Sequence, residues 1–291
     1  MQSYTFKKKN IRENKIDSIE QLEKIEQSGD WFWIDFENPS KEDFELLSKI
    51  LEEDQSILNC IKKLKPLQEC KRHQNYHLIS VSIVNSLENF QVQQIFIILK
   101  ETQLLTVRTH LSSRLFENLI QKLKDEKTLR KVYNPAYIVT EILVEIANQN
   151  LEILLNLREN IEKIEEEVVL KPTNKKIVNE VFILKRELNK FNRILSHHER
   201  VIDKLKDGRI STISPNKKDI VILEEAKDRI SQELVFLQSY DNSLDGILRL
   251  QDLGMIHRVE SRLINLTWVI IVLEIILLLF EFGVIELLMG S

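Results

Sequence analysis

The sequence predicts an α+β chain: a small N-terminal mixed α/β domain, then long stalk helices forming a helical funnel, then one C-terminal transmembrane helix. Up to about residue 132, aromatic and β-branched runs alternate with helical patterns. From residue 134 onward, apolar residues recur at three-and-four spacing. The run 264–289 is apolar on almost every side and exceeds the roughly 20 residues that cross a bilayer. We therefore divide the chain into an α/β domain (1–132), a long-helix pair (133–206), a linker (207–215), a stalk helix (216–263) and a transmembrane helix (264–289).

The sequence of the first domain predicts a small mixed sheet with helices packed on it. Strands are expected near 3–8 and at WFWIDF (31–36), HLISVSIV (77–84), VQQIFIIL (92–99) and QLLTVRT (103–109). The link at 100–102 is short enough for a hairpin. Helices are expected at 19–27, 55–64 and 112–124, and a further one begins at Ser40, which forms a capping box with Asp43.

Three long helices account for the remainder of the chain. The first begins at Asn134-Pro135, an N-cap followed by proline in the first turn, and stops at Lys171-Pro172. The second covers 174–205, and the third begins near Asn216. The third carries an apolar, coiled-coil-like stripe from 223 to 259. Such a stripe is too apolar to face water on an isolated stalk, so it predicts self-association.

Composition and motifs exclude several classes of function. The net charge of −4 provides no basic surface, so we expect no nucleic-acid partner. The two cysteines, Cys60 and Cys70, match no metal or redox spacing and suit a reducing compartment. His197-His198-Glu199 is adjacent rather than spaced by four, so it is a poor metal site. No phosphate-binding loop or nucleophile motif is present, and we expect no enzymatic activity.

The apolar run indicates an integral membrane protein with a single pass. Arg258 and Arg262 precede the run, and only Gly290-Ser291 follows it. The positive-inside rule then places the N-terminal domain in the cytoplasm and the short C-terminus on the far side. The first residues carry charge but no apolar core, so we expect no signal peptide.

Polar residues inside the transmembrane helix are candidates for lining a pore. They are Glu274, Glu281, Glu286 and Asn265. Glu274 and Glu281 are seven residues apart and share a helix face, so an oligomer would stack them as two acidic rings, a device of cation pores. Alternatively, the carboxyls are protonated and hydrogen-bond between helices, which would hold an oligomer together.

Five segments, in order, resemble the CorA family of divalent-cation channels. They are WFWIDFENPSKEDFELLSKIL (31–51), KPLQECKRHQNYHLISVSIV (65–84), FQVQQIFIILKETQLLTVRTH (90–110), the helix 135–169 and ILKRELNKFNRIL (183–195). The resemblance implies a homo-oligomer, a pentamer as in the family, that transports Mg²⁺ or Co²⁺. It implies no cofactor beyond a divalent cation, such as Mg²⁺, as the transported or regulatory ion.

The C-terminal end departs from the family pattern. The family closes its first span on Gly-Met-Asn and has a second span; here Val284-Ile285-Glu286 occupies the triplet's place and no second apolar run follows. The family's magnesium sensor would correspond to Glu224, Glu225 and Asp228, but its partner carboxylate falls at Asn59 or Cys60. These glutamates are equally explained as a solvated helix face. The alternative function is a non-conducting, membrane-anchored oligomeric scaffold or regulator that retains the CorA soluble domain.

Overall fold

The structure is a computed structural model. It describes residues 2–7, 10–15, 21, 31–51, 54–63, 71–72, 76–86, 91–100, 103–109, 112–124, 134–171, 174–210 and 215–289. The chain divides into two compact units. The first contains residues 1–158 and 186–239, and the second contains residues 159–185 and 240–291. Each unit is described separately below.

A seven-stranded sheet forms the centre of the first unit. Its strands are β1 (Gln2–Lys7), β2 (Asn10–Lys15), β3 (Phe32–Glu37), β4 (Lys71–Arg72), β5 (His77–Ser86), β6 (Gln91–Lys100) and β7 (Gln103–Arg108). The order across the sheet is β2-β1-β3-β7-β6-β5-β4. β3 and β7 run parallel and all other neighbouring pairs run antiparallel, so the sheet is mixed, as predicted. The predicted hairpin between β6 and β7 is confirmed by their antiparallel register, in which Lys100 faces Gln103.

Two strands were not predicted, and one predicted helix lies outside the described residues. β2 pairs with β1 at one edge of the sheet, and the two-residue β4 pairs with β5 at the other edge. The helix expected at 19–27 falls on residues that the structure does not describe, apart from Gln21.

Short helices cover both faces of the sheet. Helices α1 (Lys41–Ile50) and α2 (Gln55–Lys62) bury leucine and isoleucine side chains against one face, which is formed by alternate residues of β3, β5, β6 and β7. The predicted capping box of α1 is present, because Ser40 and Asp43 each accept a hydrogen bond from the other's backbone nitrogen. Helix α3 (Ser113–Lys124) lies on the opposite face, where the ring of Phe116 packs 6.0 Å from that of Trp33.

Three long helices follow, as predicted. They are α4 (Pro135–Leu170), α5 (Lys175–Lys206) and α6 (Lys217–Met289). Within the first unit, α6 contacts both of the others. Lys227 of α6 binds Asp203 of α5 at 2.7 Å, and Glu233 of α6 binds Asn150 of α4 at 3.3 Å. Within the second unit, Lys185 of α5 binds Asp241 and Asp245 of α6 at 2.8 and 2.7 Å. The small mixed sheet, the long helices and the apolar C-terminal helix together confirm the predicted fold class.

Candidate functional site

The longest helix, α6, is continuous over 73 residues. Its start is fixed by Asn216 and Asp219: Asn216 Oδ1 accepts the backbone N–H of Asp219 at 3.1 Å, and Asp219 Oδ2 accepts that of Asn216 at 2.9 Å. No proline follows Pro215, so nothing interrupts the helical hydrogen bonds. At 1.5 Å per residue the helix is about 110 Å long, far more than a bilayer requires. α6 therefore combines a stalk with a segment long enough to cross a membrane.

The N-terminal part of the stalk's apolar stripe is covered within the chain. Leu223, Ala226, Ile230, Leu237 and Leu244 are all buried. The C-terminal part of the predicted stripe, which includes Met255 and Val259, is exposed, so self-association through that part stays a prediction. Side chains of α4 and α5 lie beside the N-terminal part of α6 and supply the missing cover.

The C-terminal part of α6 has the opposite character. From Met255 to Glu281 every residue is exposed, including the apolar segment that is long enough to cross a membrane. Within the described part of the chain, α6 is the one helix that is long and apolar enough to cross a membrane. A long apolar surface with no protein cover is expected of a helix that faces lipid or other copies of itself.

The four pore-lining candidates do not share one face of this helix. Glu274 and Glu281 lie seven residues apart, about 10 Å along the axis, and both are exposed on the same side. Asn265 lies nine residues before Glu274, which is about half a turn away around the helix. Glu286 belongs to the helix but lies about a third of a turn from that glutamate face. The geometry groups Glu274 with Glu281 and separates the other two.

The three carboxylates of α6 that correspond to the family's magnesium sensor do not form a metal site. Glu224 accepts a hydrogen bond from Lys206 Nζ at 2.9 Å, whereas Glu225 and Asp228 are exposed. On α2, Asn59 is exposed and Cys60 is half-buried. Among the described residues, no group of three His, Cys, Asp or Glu side chains comes close enough to hold a metal ion.

The adjacent histidines His197 and His198 lie on α5, and only the second of them is buried. His198 is buried on α5, and its ring lies 6.3 Å from that of His197. Burial lowers the pKa of His198 to about 3, with a further lowering from His197 and a smaller opposing effect from a hydrogen bond with the Ser82 backbone. His198 is therefore neutral at physiological pH and belongs to the core.

A buried carboxylic acid between α4 and α6 was missed by the sequence analysis. Glu233 is 2% exposed, and its partner Asn150 is 0% exposed. The signal was present in the sequence, because Glu233 follows Ile230 by three residues and precedes Leu237 by four, the spacing of the buried stripe. The apolar residue next to it, Leu234, is only half-buried.

An open cleft of about 400 Å³ lies beside the sheet, between α3, α4 and the ends of β5 and β6. Carboxamides dominate its lining, together with Arg114, Glu145 and Glu152. Its two carboxylates are accompanied by a cation, which disfavours a bound metal ion. The cleft therefore adds no metal centre to the candidates on α6.

Comparisons with known proteins agree on one family. The model of a family described as CorA-like Mg²⁺ transporter protein matches residues 28–275. The sequence resemblance is thereby confirmed. No curated protein sequence matches the chain.

Solved structures share the fold at low sequence identity. The soluble domain of CorA from Methanocaldococcus jannaschii is 19% identical with a TM-score of 0.68, covering 86% of this chain and 96% of that one. The complete CorA magnesium transporter from the same organism is 21% identical with a TM-score of 0.70, covering 91% of this chain and 80% of that one. The ZntB cytoplasmic domain from Vibrio parahaemolyticus is 12% identical with a TM-score of 0.64, covering 89% of this chain and 98% of that one. At these identities the likeness establishes the fold alone.

Proposed function

The chain belongs to the CorA-like Mg²⁺ transporter family, and from this premise we propose that it is a membrane protein that conducts divalent cations as a homo-oligomer. The family consists of transporters and not of enzymes. The observation that carries the proposal is that the family match extends from the sheet domain into the exposed apolar part of α6, as far as residue 275. The match thus covers the sheet domain, the stalk part of α6 and about the first half of the segment 264–289 that would cross the bilayer.

A conducting pathway requires several copies of this helix. A single helix encloses no opening, and the described residues supply one candidate span per chain. Charged groups in a bilayer normally face a bundle interior or a water path. Copies arranged around an axis would give Glu274 and Glu281 such an interior. Five copies is the number that the family resemblance implies.

In this arrangement Glu274 and Glu281 line the pore and attract cations. Their shared face would form two acidic rings about 10 Å apart, and rings of carboxylates are a known device of cation channels. Carboxylate oxygens are hard ligands that suit Mg²⁺, and Co²⁺ also binds oxygen ligands. Because Asn265 lies about half a turn from Glu274, we place it at a helix contact and not in the rings. Glu286 lies near the far end and contributes less.

The candidate metal ligands on the stalk part of α6 would have a regulatory role. Glu224, Glu225 and Asp228 are carboxylates on the outer side of α6, where a divalent cation could bridge neighbouring copies. Such a cation would compete with Lys206 for Glu224. No acidic residue occupies the α2 positions Asn59 and Cys60, so we propose that cation sensing here is weak or absent.

The proposed orientation places the sheet domain in the cytoplasm. Arg258 and Arg262 lie just before the apolar segment and are exposed, as the positive-inside rule requires for a cytoplasmic flank. The funnel of stalk helices would then open toward the cytoplasm. Protease accessibility of the sheet domain in right-side-out and inside-out vesicles tests this orientation directly.

A second candidate function is supported by one observation. Val284-Ile285-Glu286 stands where the family has Gly-Met-Asn, so the usual contact with the hydrated ion is missing. This favours a non-conducting, membrane-anchored oligomeric scaffold. Uptake of Mg²⁺ and Co²⁺ into proteoliposomes separates the two functions. Uptake above that of protein-free liposomes supports conduction, and equal uptake with intact oligomers supports the scaffold.

A further inference from the structure

One ionisable side chain is enclosed between two long helices of the first unit. Glu233 of α6 is 2% exposed, and Asn150 of α4 is fully buried. The Asn150 side-chain nitrogen Nδ2 donates to Glu233 Oε2 at 3.3 Å. The pair lies in the same layer as Ile230 and Leu237, which are also buried. A charged carboxylate in such a layer is costly unless it is fully hydrogen-bonded.

One hydrogen bond of this pair lacks a donor, and a proton on Glu233 would supply it. Asn150 Oδ1 is buried and has no hydrogen-bond partner within the described part of the chain. Oδ1 is an acceptor, and an ionised carboxylate is also an acceptor, so the two cannot satisfy one another. A protonated carboxyl group carries an O–H donor. With its proton on Oε1, Glu233 could donate to Asn150 Oδ1 while Oε2 accepts from Nδ2.

Few charges surround this carboxyl group. On its own helix, Arg229 lies one turn earlier, and its guanidinium is hydrogen-bonded to Asn148 of α4. The acidic residues of α4 nearest in sequence, Glu145 and Glu152, line the surface cleft. Between α5 and α6, the pairs Lys227–Asp203 and Lys206–Glu224 set an antiparallel register. Continuing that register places His197, whose Nε2 is buried, level with Glu233.

We propose that Glu233 and Asn150 form a proton-binding site, in which neutral Glu233 closes a two-hydrogen-bond acid–amide pair that fastens α4 to α6. Binding one proton satisfies both Asn150 polar atoms and removes a buried charge. Losing the proton breaks one hydrogen bond and leaves a carboxylate between the helices. Because α6 continues into the apolar segment, this site makes the packing of the stalk depend on the pH around the sheet domain.

The expected pH dependence of stability follows from the direction in which the pKa of Glu233 is shifted. Burial raises the pKa of Glu233 to about 8, against the opposing effects of the Asn150 hydrogen bond and the Arg229 charge. The unfolded value is 4.5. The folded state therefore binds the proton more tightly, and the stabilisation is fully present below pH 4.5 and is lost as the pH rises through about 8.

The first test compares thermal unfolding of the full-length protein in detergent across pH 5 to 9. Glu233→Gln replaces the acid by an amide that can make both hydrogen bonds at every pH. We expect Glu233→Gln to match the unmodified protein near pH 5 and to exceed its Tm by about 4 °C or more at pH 9. Glu180→Gln, at an exposed position on α5, is the matched control and should show a constant difference.

The second test observes the proton itself. Infrared difference spectra between pH 6 and pH 9 should contain a protonated-carboxyl band that is lost at high pH and is absent from Glu233→Gln. An identical Tm difference at pH 5 and pH 9, or an unchanged carboxyl band in Glu233→Gln, would overturn the proposal. If Glu233→Gln does not fold, Asn150→Asp provides the same readout, because a second carboxyl beside Glu233 must steepen the loss of stability at high pH.

Discussion

Arg108 of β7 and Asp35 of β3 form a buried, bidentate ion pair within the sheet. Arg108 Nη2 lies 2.7 Å and Nε 2.9 Å from Asp35 Oδ2, and both side chains are almost fully enclosed. Thr106 also donates to Asp35 Oδ1 at 2.6 Å, and the Arg108 guanidinium lies 4.2 Å from the Phe116 ring centre. The pair therefore joins the parallel strands β3 and β7 to α3, the helix packed on them.

Removing one member of this pair should lower the free energy of unfolding more than removing both. Arg108→Met leaves the Asp35 carboxylate buried without its cation, which costs about 3–5 kcal/mol. Asp35→Leu combined with Arg108→Met replaces both charges by apolar groups and should recover most of that loss. Chemical denaturation of the three proteins measures the difference. A double variant less stable than Arg108→Met would contradict this account of the pair.

His198 should make the protein acid-sensitive. Its pKa, lowered to about 3 by burial, lies below the unfolded value of 6.5, so the stabilisation is present above pH 6.5 and is lost as the pH falls toward 3. At pH 5 the expected loss is about 2 kcal/mol. His198→Leu should flatten the dependence of Tm on pH between 7 and 5, whereas His257→Leu, at an exposed histidine, should not. Parallel pH profiles for all three proteins would refute this role.

Local patterns in the sequence predicted most of the regular structure. The capping residues Ser40 and Asp43 and the alternating runs of β5 to β7 act over a few residues, so the sequence displays them directly. β2 was missed because its sequence, NIRENK, contains a single β-branched residue. It becomes a strand by pairing with β1 along its whole length, a tertiary contact that no local pattern reveals.

Dependence on tertiary contacts also explains why the burial of Glu233 in the long helices was not predicted. Three-and-four spacing allows either Glu233 or Leu234 to follow Ile230, and hydrophobicity favours the leucine. The choice is made by tertiary packing, because α4 contacts α6 in such a way that Glu233 is buried against Asn150. Glu274 and Glu281, by contrast, can be grouped from the sequence alone, because a seven-residue spacing in a continuous helix fixes their relative positions.

Assembly should depend on the outer face of the stalk and not on its buried stripe. Val221 and Val235 are 53% and 63% exposed on α6, whereas Leu237 is 2% exposed. We expect Val235→Asp, alone or with Val221→Asp, to reduce the oligomer mass in detergent with little change in Tm. Leu237→Asp should lower Tm by introducing an unpaired charge into the core. A monomeric unmodified protein would rule out the homo-oligomer.

Magnesium should stabilise this protein only slightly. The candidate residues Glu224, Glu225 and Asp228 form no preassembled site, and Glu224 is already paired with Lys206. A ligand stabilises a protein only through preferential binding to the folded state. We expect Tm to differ by about 1–2 °C between chelator and millimolar Mg²⁺. A large shift that disappears in Glu224→Gln/Asp228→Asn would instead reveal a working sensor.

Ion selectivity should be broad if the protein conducts. The family resemblance places Val284-Ile285-Glu286 where the triplet Gly-Met-Asn is expected, so we expect no asparagine there to contact a hydrated ion. The acidic rings would attract divalent cations by charge, with little discrimination of size. We expect similar uptake rates for Mg²⁺, Co²⁺ and Ni²⁺. A strong preference for one of them would require a selectivity element other than the two rings.

The most direct test of the central claim is divalent-cation uptake into proteoliposomes. We predict that the unmodified protein takes up Mg²⁺ and Co²⁺ faster than protein-free liposomes. Glu274→Gln and Glu281→Gln should each slow uptake, and the double variant should abolish most of it, while Glu180→Gln should leave it unchanged. Uptake by the unmodified protein no faster than that of protein-free liposomes would contradict conduction.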